Sequence, residues 1–146
     1  MQRISHWVDN KVFAGSGSGT APVTNPATGA VTGQVALASV GDARAVVDAA
    51  AAAFPAWRDT SLAKRTQVLF RFRELLNARK GELAEIITAE HGKVVSDALG
   101  EVSRGQEVVE FACGIPHLLK GGYTENASTN VDVYSIRQPL GPVAII

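Results

Sequence analysis

The feature that most constrains the fold is a long stretch with helical periodicity, residues 39–119, which has segments of strand character on both sides. Ser39 and Asp42, three residues apart, form a weak capping box that predicts the start of a first helix. Pro55 predicts the end of that helix, because proline disfavours helical backbone at itself and at the residue before it. Ser61 predicts the N-cap of a second helix. The apolar stripe of the second helix consists of Val68, Leu69, Phe72, Leu75 and Leu76.

Two further helical segments are expected before residue 119. Gly81 begins a third segment and Gly92 ends it, since glycine is common just after the last turn of a helix. The fourth helix spans Val95–Leu119, and Pro116 is expected to kink or end it. One face of this helix carries Ala98, Val102, Gly105, Val109, Ala112 and Pro116, and a second row carries Val108, Phe111 and Ile115. Apolar residues on two sides predict that its C-terminal half is broadly buried.

Short strands are predicted before the helices. Trp7–Phe13 contains two strand pieces around the turn residues Asp9 and Asn10. Ala21–Asn25 and Val31–Leu37 are the next two strands. The turn Asn25–Gly29 separates them, because proline presets φ and glycine adopts positive φ freely.

Strand character returns after the helices. Asn130–Arg137 alternates in polarity and predicts a strand, and Gln138–Pro142 predicts a turn. Val143–Ile146 is an uninterrupted apolar run, which is typical of a strand covered on both faces in a parallel sheet. We therefore expect that further polypeptide completes that sheet and that the chain is a piece of a longer protein. The order of strands and helices predicts an α/β fold.

Composition narrows the functional class. The chain is 46% hydrophobic and 19% charged, which is a globular composition, and its formal net charge is +0. A neutral chain without a basic block argues against nucleic acid and anionic membranes as partners. Cys113 has no cysteine to pair with, so we expect a soluble protein of the reducing cytoplasm. Three histidines and one cysteine argue against a closed zinc site, and no segment is long and apolar enough to span a bilayer.

Several motifs are interpreted as structural rather than functional. The loop Gly15–Gly19 leads into a strand and not into a helix, so we interpret it as a flexible loop rather than a phosphate-binding one. Gly92-Lys93 lacks the other residues of a nucleotide-binding P-loop. Cys113 is predicted to be a buried structural thiol, because free cysteines are usually buried. Structural roles are likewise predicted for the three histidines, which are His6, His91 and His117.

Arg104 is the charged residue with the strongest functional potential. It starts a row that continues through Val108, Phe111 and Ile115, so partial burial would require an anionic partner. A guanidinium can hold a carboxylate through two parallel hydrogen bonds. Spacing alone favours the alternative, an ion pair with Glu101 or Glu107 on the same helix.

The sequence motifs, taken in order, resemble the N-terminal part of the aldehyde dehydrogenase superfamily over essentially the whole chain. They are Asn25-Pro26-Ala27-Thr28-Gly29, Phe54-Pro55-Ala56-Trp57, Arg65 before Val68–Phe72, Glu90-His91-Gly92-Lys93, Glu101-Val102 and Gln138–Val143. Within the superfamily, residues 100–116 are most similar to the CoA-acylating methylmalonate-semialdehyde dehydrogenases.

The resemblance implies a chemistry and a substrate contact. It implies NAD-dependent oxidation of methylmalonate or malonate semialdehyde and transfer of the acyl group to CoA with loss of CO2. It also implies that Arg104 binds the substrate carboxylate. No catalytic residue, metal ligand or NAD contact is carried over to this chain, which by itself is expected to be inactive. Other aldehyde dehydrogenases, of the succinate-semialdehyde or betaine-aldehyde type, and a non-enzymatic interaction module stay open as alternatives.

The resemblance also implies a division of the chain. Residues 1–129 would hold the N-terminal strands and the helices that pack on a Rossmann-type cofactor domain. Residues 130–138 would belong to a β extension used for homo-oligomerisation into dimers or tetramers. Residues 139–146 would begin the Rossmann-type sheet.

Overall fold

The protein is described by a computed structural model that covers residues 2–146. Within these residues its elements form an α/β arrangement in which five strands come first, four helices follow and two further strands come last. In chain order they are β1 (Gln2–Ile4), β2 (His6–Val8), β3 (Lys11–Phe13), β4 (Thr20–Thr24), β5 (Val31–Ala36), α1 (Val40–Asp59), α2 (Leu62–His91), α3 (Val95–Ala112), α4 (Ile115–Leu118), β6 (Gly122–Ser128) and β7 (Val131–Ser135).

The N-terminal strands form two small sheets. In the larger one β5 is central, with β1 parallel on one side and β4 antiparallel on the other. The β2–β3 hairpin turns at Asp9 and Asn10, whose φ values of 51° and 58° match the positive φ that a two-residue hairpin turn requires. The strands predicted around this turn and around the turn Asn25–Gly29 are confirmed, whereas β1 was not predicted.

Helix α1 begins at the predicted capping box but does not end at Pro55. Ser39 accepts a hydrogen bond from the Asp42 N–H at 3.0 Å, and the Asp42 carboxylate accepts one from the Ser39 N–H at 2.8 Å. The prediction that Pro55 ends the helix was wrong, because α1 continues to Asp59. Proline removes only one N–H donor, and the preceding run of five alanines is the strongest helix-forming sequence available.

Helix α2 is continuous from Leu62 to His91, so the predicted break at Gly81 was also wrong. Glycine in a helix interior costs about 1 kcal/mol relative to alanine, which a long helix can tolerate. Arg79 and Glu82, joined at 2.8 Å, bridge the turn that contains Gly81. The predicted caps at Ser61 and Gly92 are confirmed, the latter with a φ of 87°.

The predicted fourth helix is divided into two. Helix α3 ends at Ala112, and α4 starts at Ile115 after a turn at Cys113 and Gly114. Pro116 lies in the first turn of α4, where its missing N–H costs no helical hydrogen bond. The chain therefore turns before the proline rather than at it, and the single helix predicted over Val95–Leu119 was wrong.

The packing of α3 on α2 forms the largest contact between elements. Ala84 of α2 and Ala98 of α3 are completely buried, and Val102 is 8% exposed. The other predicted row is not buried, since Val108 and Phe111 are 69% and 70% exposed. The prediction of broad burial was wrong for this row because α2 covers only one side of α3.

The C-terminal part is an exposed hairpin followed by an extended tail. Strand β7 confirms the strand predicted over Asn130–Arg137, and it pairs with β6, which was not predicted. Every residue of both strands is exposed. Val143–Ile146 does not form the predicted strand, because no described strand lies beside it to accept its hydrogen bonds, and Ile145 is 90% exposed. Across residues 2–146, no helix has the length and apolar character needed to cross a membrane.

Candidate functional site

Lys93 anchors the start of α3. Its Nζ lies 2.7 Å from the Asp97 carboxylate, contacts Glu101 as well, and the side chain is only 16% exposed. The hydrogen bonds that Lys93 donates to Asp97 and then to Glu101 raise the pKa of Lys93, and the same contact with Lys93 lowers the pKa of Asp97. Lys93 is thus committed to a structural role, and it is not available for a phosphate group.

Arg73 ties the C-terminal half of α3 to α2. Its Nε donates to Glu110 Oε1 at 2.9 Å and its Nη2 lies 2.8 Å from the same oxygen, to which Gln106 also donates at 2.9 Å. The hydrogen bond from Gln106, followed by those from Arg73, lowers the pKa of Glu110. The contacts of Lys93 near the start of α3 and of Arg73 near its end together fix the orientation of α3 about its axis.

Arg104 lies on the part of α3 that α2 leaves uncovered. The side chain is 84% exposed, so the partial burial considered from the sequence is not observed. Within residues 2–146 its single polar contact is from Nη1 to Glu107 Oε2 at 3.5 Å, while Glu101 is engaged with Lys93. Val108 and Phe111 continue the same row and are also exposed. This face therefore offers one accessible guanidinium next to apolar side chains, which suits a small aliphatic carboxylate.

The glycine-rich loop Gly15–Gly19 is held by a carboxylate. Asp42 accepts hydrogen bonds from the Ser16 N–H at 2.8 Å and the Gly17 N–H at 3.2 Å, and from the Ser16 hydroxyl at 3.0 Å. A Cβ on Gly17 would lie 2.0 Å from the Leu37 carbonyl oxygen, so this position requires glycine. The loop was predicted to be flexible, but it is bound on one side and tightly packed on the other.

These contacts show that the loop does not fit a dinucleotide phosphate. Its amide donors at residues 16 and 17 are already occupied by the Asp42 side chain, and a second anion there would meet a buried negative charge. The N–H groups of Ser39 and then Ser16 lower the pKa of Asp42 far below the ordinary range for a carboxyl group. The loop is therefore unsuited to binding the phosphates of NAD.

The remaining candidates are dispersed. His6 packs beside Phe13, with ring centres 6.2 Å apart, and its buried Nε2 has no hydrogen-bond partner among residues 2–146. Cys113 is half-buried beside Arg73 and Glu110, rather than fully buried as predicted. His91 lies in the last turn of α2, and His117 lies in α4. No cluster of three or more metal-ligating side chains occurs in the described part of the chain.

Comparison with known proteins assigns the fold to a family. The sequence profile of the aldehyde dehydrogenase family matches residues 13–146. The chain belongs to the aldehyde dehydrogenase family. The malonate-semialdehyde dehydrogenase of Pseudomonas aeruginosa is 44% identical over 144 residues, an alignment that covers 99% of this chain and 29% of that protein. This aldehyde dehydrogenase chain thus spans less than a third of the length of that relative.

Two crystal structures of aldehyde dehydrogenases show the same arrangement. One is a provisional methylmalonate-semialdehyde dehydrogenase from Sinorhizobium meliloti, solved in complex with NAD. It is 48% identical to this chain with a TM-score of 0.91, and the match covers 97% of this chain and 29% of that protein. The other is the methylmalonate-semialdehyde dehydrogenase of Oceanimonas doudoroffii, 41% identical with a TM-score of 0.90, over 96% of this chain and 28% of its own. The N-terminal aldehyde dehydrogenase fold predicted from the motifs is confirmed.

Sequence reasoning missed two functional features of this aldehyde dehydrogenase chain. It did not identify Asp42 as the group that holds the Gly15–Gly19 loop, because the partners are about 26 residues apart. It also left Glu101 and Glu107 as equal partners for Arg104, because one lies three residues before the arginine and the other three residues after it. The pairing of Lys93 with Glu101 decides between them, and no spacing rule reveals it.

Proposed function

We propose that this chain forms part of the substrate-binding structure of an NAD-dependent, CoA-acylating dehydrogenase for methylmalonate or malonate semialdehyde. The activity is proposed for the whole protein, and residues 2–146 alone are expected to be inactive. NAD would accept the hydride from the aldehyde carbon, and CoA would accept the acyl group as the carboxylate leaves as CO2. Support comes from the family membership and from the names of proteins that are similar to this chain.

The observation that carries the proposal is the accessibility of Arg104. Lys93 and Arg73 each form ion pairs with two carboxylates. Among residues 2–146, Arg104 forms an ion pair with Glu107 alone, at 3.5 Å. A substrate carboxylate could therefore occupy its guanidinium with two parallel hydrogen bonds. The side chain would fix the acid end of the substrate and so the direction in which its aldehyde points.

The division of the chain and its oligomeric contacts belong to the same proposal. We assign residues 1–129 to the part that packs on a cofactor domain, 130–138 to an oligomerisation segment and 139–146 to the start of a Rossmann-type sheet. The complete exposure of the β6–β7 hairpin supports a role in contacts between subunits of a dimer or tetramer. A cytoplasmic location is proposed from the lone Cys113, which has no internal disulfide partner.

Replacing Arg104 tests the function. In the longest natural polypeptide that contains this sequence, Arg104→Ala should lower kcat/KM for malonate semialdehyde by about 10- to 100-fold, since charged hydrogen bonds contribute roughly 1.5–3 kcal/mol. Propanal, which lacks the carboxylate, should be oxidised within about twofold of the original rate. The measurement is NADH formation with saturating NAD and CoA.

Arg71→Ala is the matched control, because Arg71 is an exposed arginine of α2. It should leave kcat/KM unchanged for both malonate semialdehyde and propanal. Succinate semialdehyde, which is one carbon longer, tests the alternative of a succinate-semialdehyde dehydrogenase. A higher kcat/KM for it than for malonate semialdehyde would identify it as the substrate instead. Equal effects of Arg104→Ala on the charged and the neutral aldehyde would refute the role of Arg104.

A further inference from the structure

We propose that Glu107 is an internal competitor for the carboxylate that Arg104 binds, and that it thereby sets the affinity for acidic aldehydes. The inference rests on the proposed function, because it assumes that Arg104 receives the substrate carboxylate. Glu107 acts through Arg104 and is therefore a positioning residue rather than a catalytic one.

The geometry of the pair is loose. Arg104 Nη1 and Glu107 Oε2 lie 3.5 Å apart, which is the limit of a hydrogen bond, and the side chains are 84% and 62% exposed. Within residues 2–146, no other acceptor is bonded to the Arg104 guanidinium. Exposed pairs of this kind are weak and exchange readily with water or with another anion.

The other ion pairs of α3 are built differently. Arg73 reaches Glu110 through two nitrogens at 2.9 and 2.8 Å, and Lys93 reaches Asp97 at 2.7 Å. Arg73 and Lys93 are also less exposed, at 31% and 16%. The Arg104–Glu107 pair is thus the loosest ion pair of this helix, and breaking it disturbs no contact between α2 and α3.

Competition follows from the fork shape of the guanidinium. On the Nη1–Nη2 edge of the guanidinium, a substrate carboxylate gains two parallel hydrogen bonds only when Nη1 is available, and Glu107 partly occupies that nitrogen. The i,i+3 spacing keeps Glu107 within reach at all times, so it acts as a tethered anion at high effective concentration. Its negative charge also repels an incoming anion, so both effects weaken binding of an acidic substrate.

Glu107→Gln tests this inference in the longest natural polypeptide containing the sequence. The KM for malonate semialdehyde should fall about two- to fivefold, the range expected for losing one exposed ion pair. The inhibition constant of malonate, a carboxylate that cannot be oxidised, should fall by the same factor. The kcat and the KM for propanal should not change. Glu107→Asp, which keeps the charge but shortens the reach, should give a smaller decrease.

Two further variants isolate the mechanism. Glu85→Gln, an exposed glutamate of α2, is the matched control and should leave every constant unchanged. In the Arg104→Ala background, Glu107→Gln should have no effect on the affinity for malonate, because the group being competed for is absent.

The outcomes separate the two proposals. An increase or no change in KM with Glu107→Gln, together with a selective loss in Arg104→Ala, would overturn the competition and leave the proposed function intact. An effect of Glu107→Gln that persists without Arg104 would also overturn it, since the residue would then act by another route. If Arg104→Ala causes no selective loss, both proposals fail.

Discussion

The carboxylate of Asp42 joins two segments of the chain that lie far apart in the sequence. It closes the capping box of α1 with Ser39 and also accepts hydrogen bonds from three donor groups of the residues at positions 16 and 17. The capping role follows from the sequence, because Ser39 and Asp42 are three residues apart. The loop contact does not, because it depends on how the strands return to the helix.

Asp42→Asn should loosen the loop without unfolding the protein. Asparagine keeps one acceptor oxygen but loses the charge and the second oxygen, so the amide hydrogens of Ser16 and Gly17 should exchange with solvent about tenfold faster. Hydrogen–deuterium exchange of peptides covering residues 15–19 measures this. Asp48→Asn, an exposed aspartate of the same helix, serves as the control, and equal exchange in both variants would contradict the assignment.

The pKa shift of Asp42 adds a pH dependence to the same contact. Because folding lowers the pKa of this carboxyl group, its contribution to stability is complete above the unfolded value of about 3.9. That contribution is lost progressively as the pH falls below this value. The stability difference between the original protein and Asp42→Asn should therefore be constant from pH 5 to 8 and shrink below about pH 4.

At the scale of elements, α2 and α3 depend on small side chains. Ala84 and Ala98 have no exposed surface, and this allows the two helix backbones to approach closely. The helical stripe of α3 that includes Ala98 and Val102 was visible in the sequence. Which of its two apolar rows would be buried was not, because both rows satisfy the helical period equally well.

Enlarging Ala98 should destabilise this contact. Ala98→Leu adds three carbon atoms at a position with no exposed surface, which costs about 1–3 kcal/mol in the free energy of unfolding. Denaturant unfolding, followed by circular dichroism, measures the loss. Ala89→Leu lies on the exposed side of α2 and should change stability by less than about 0.5 kcal/mol. Equal stability of the two variants would show that the helices have room to separate.

At the scale of the whole molecule, the accessible surface is large. It amounts to 11128 Å², whereas the usual scaling gives about 7,100 Å² for a compact monomer of 15.3 kDa. No large side chain is fully buried among residues 2–146. Apolar side chains such as Trp7, Phe111 and Tyr134 contribute to this surface, so the chain has extensive faces that suit contacts with other polypeptide.

The isolated chain of 146 residues should therefore bind hydrophobic dyes and self-associate. Fluorescence of anilinonaphthalene sulfonate should rise strongly on mixing, and light scattering should increase with protein concentration in the micromolar range. A monodisperse monomer that leaves the dye unaffected would contradict this expectation, and it would favour an autonomous interaction module over a part of an enzyme.

The sequence by itself determined the caps at Ser39, Ser61 and Gly92, the turns at Asp9–Asn10 and Asn25–Gly29, and the family, because these depend on residues within about four positions of one another or on motifs read in order. The tertiary structure decided the rest. It placed β1 beside β5, bound the Gly15–Gly19 loop to Asp42, and left Arg104 facing solvent with Glu107 rather than Glu101. The first two contacts join residues distant in sequence, and the third depends on Lys93 engaging Glu101. Local patterns do not specify which surfaces meet or which partners compete.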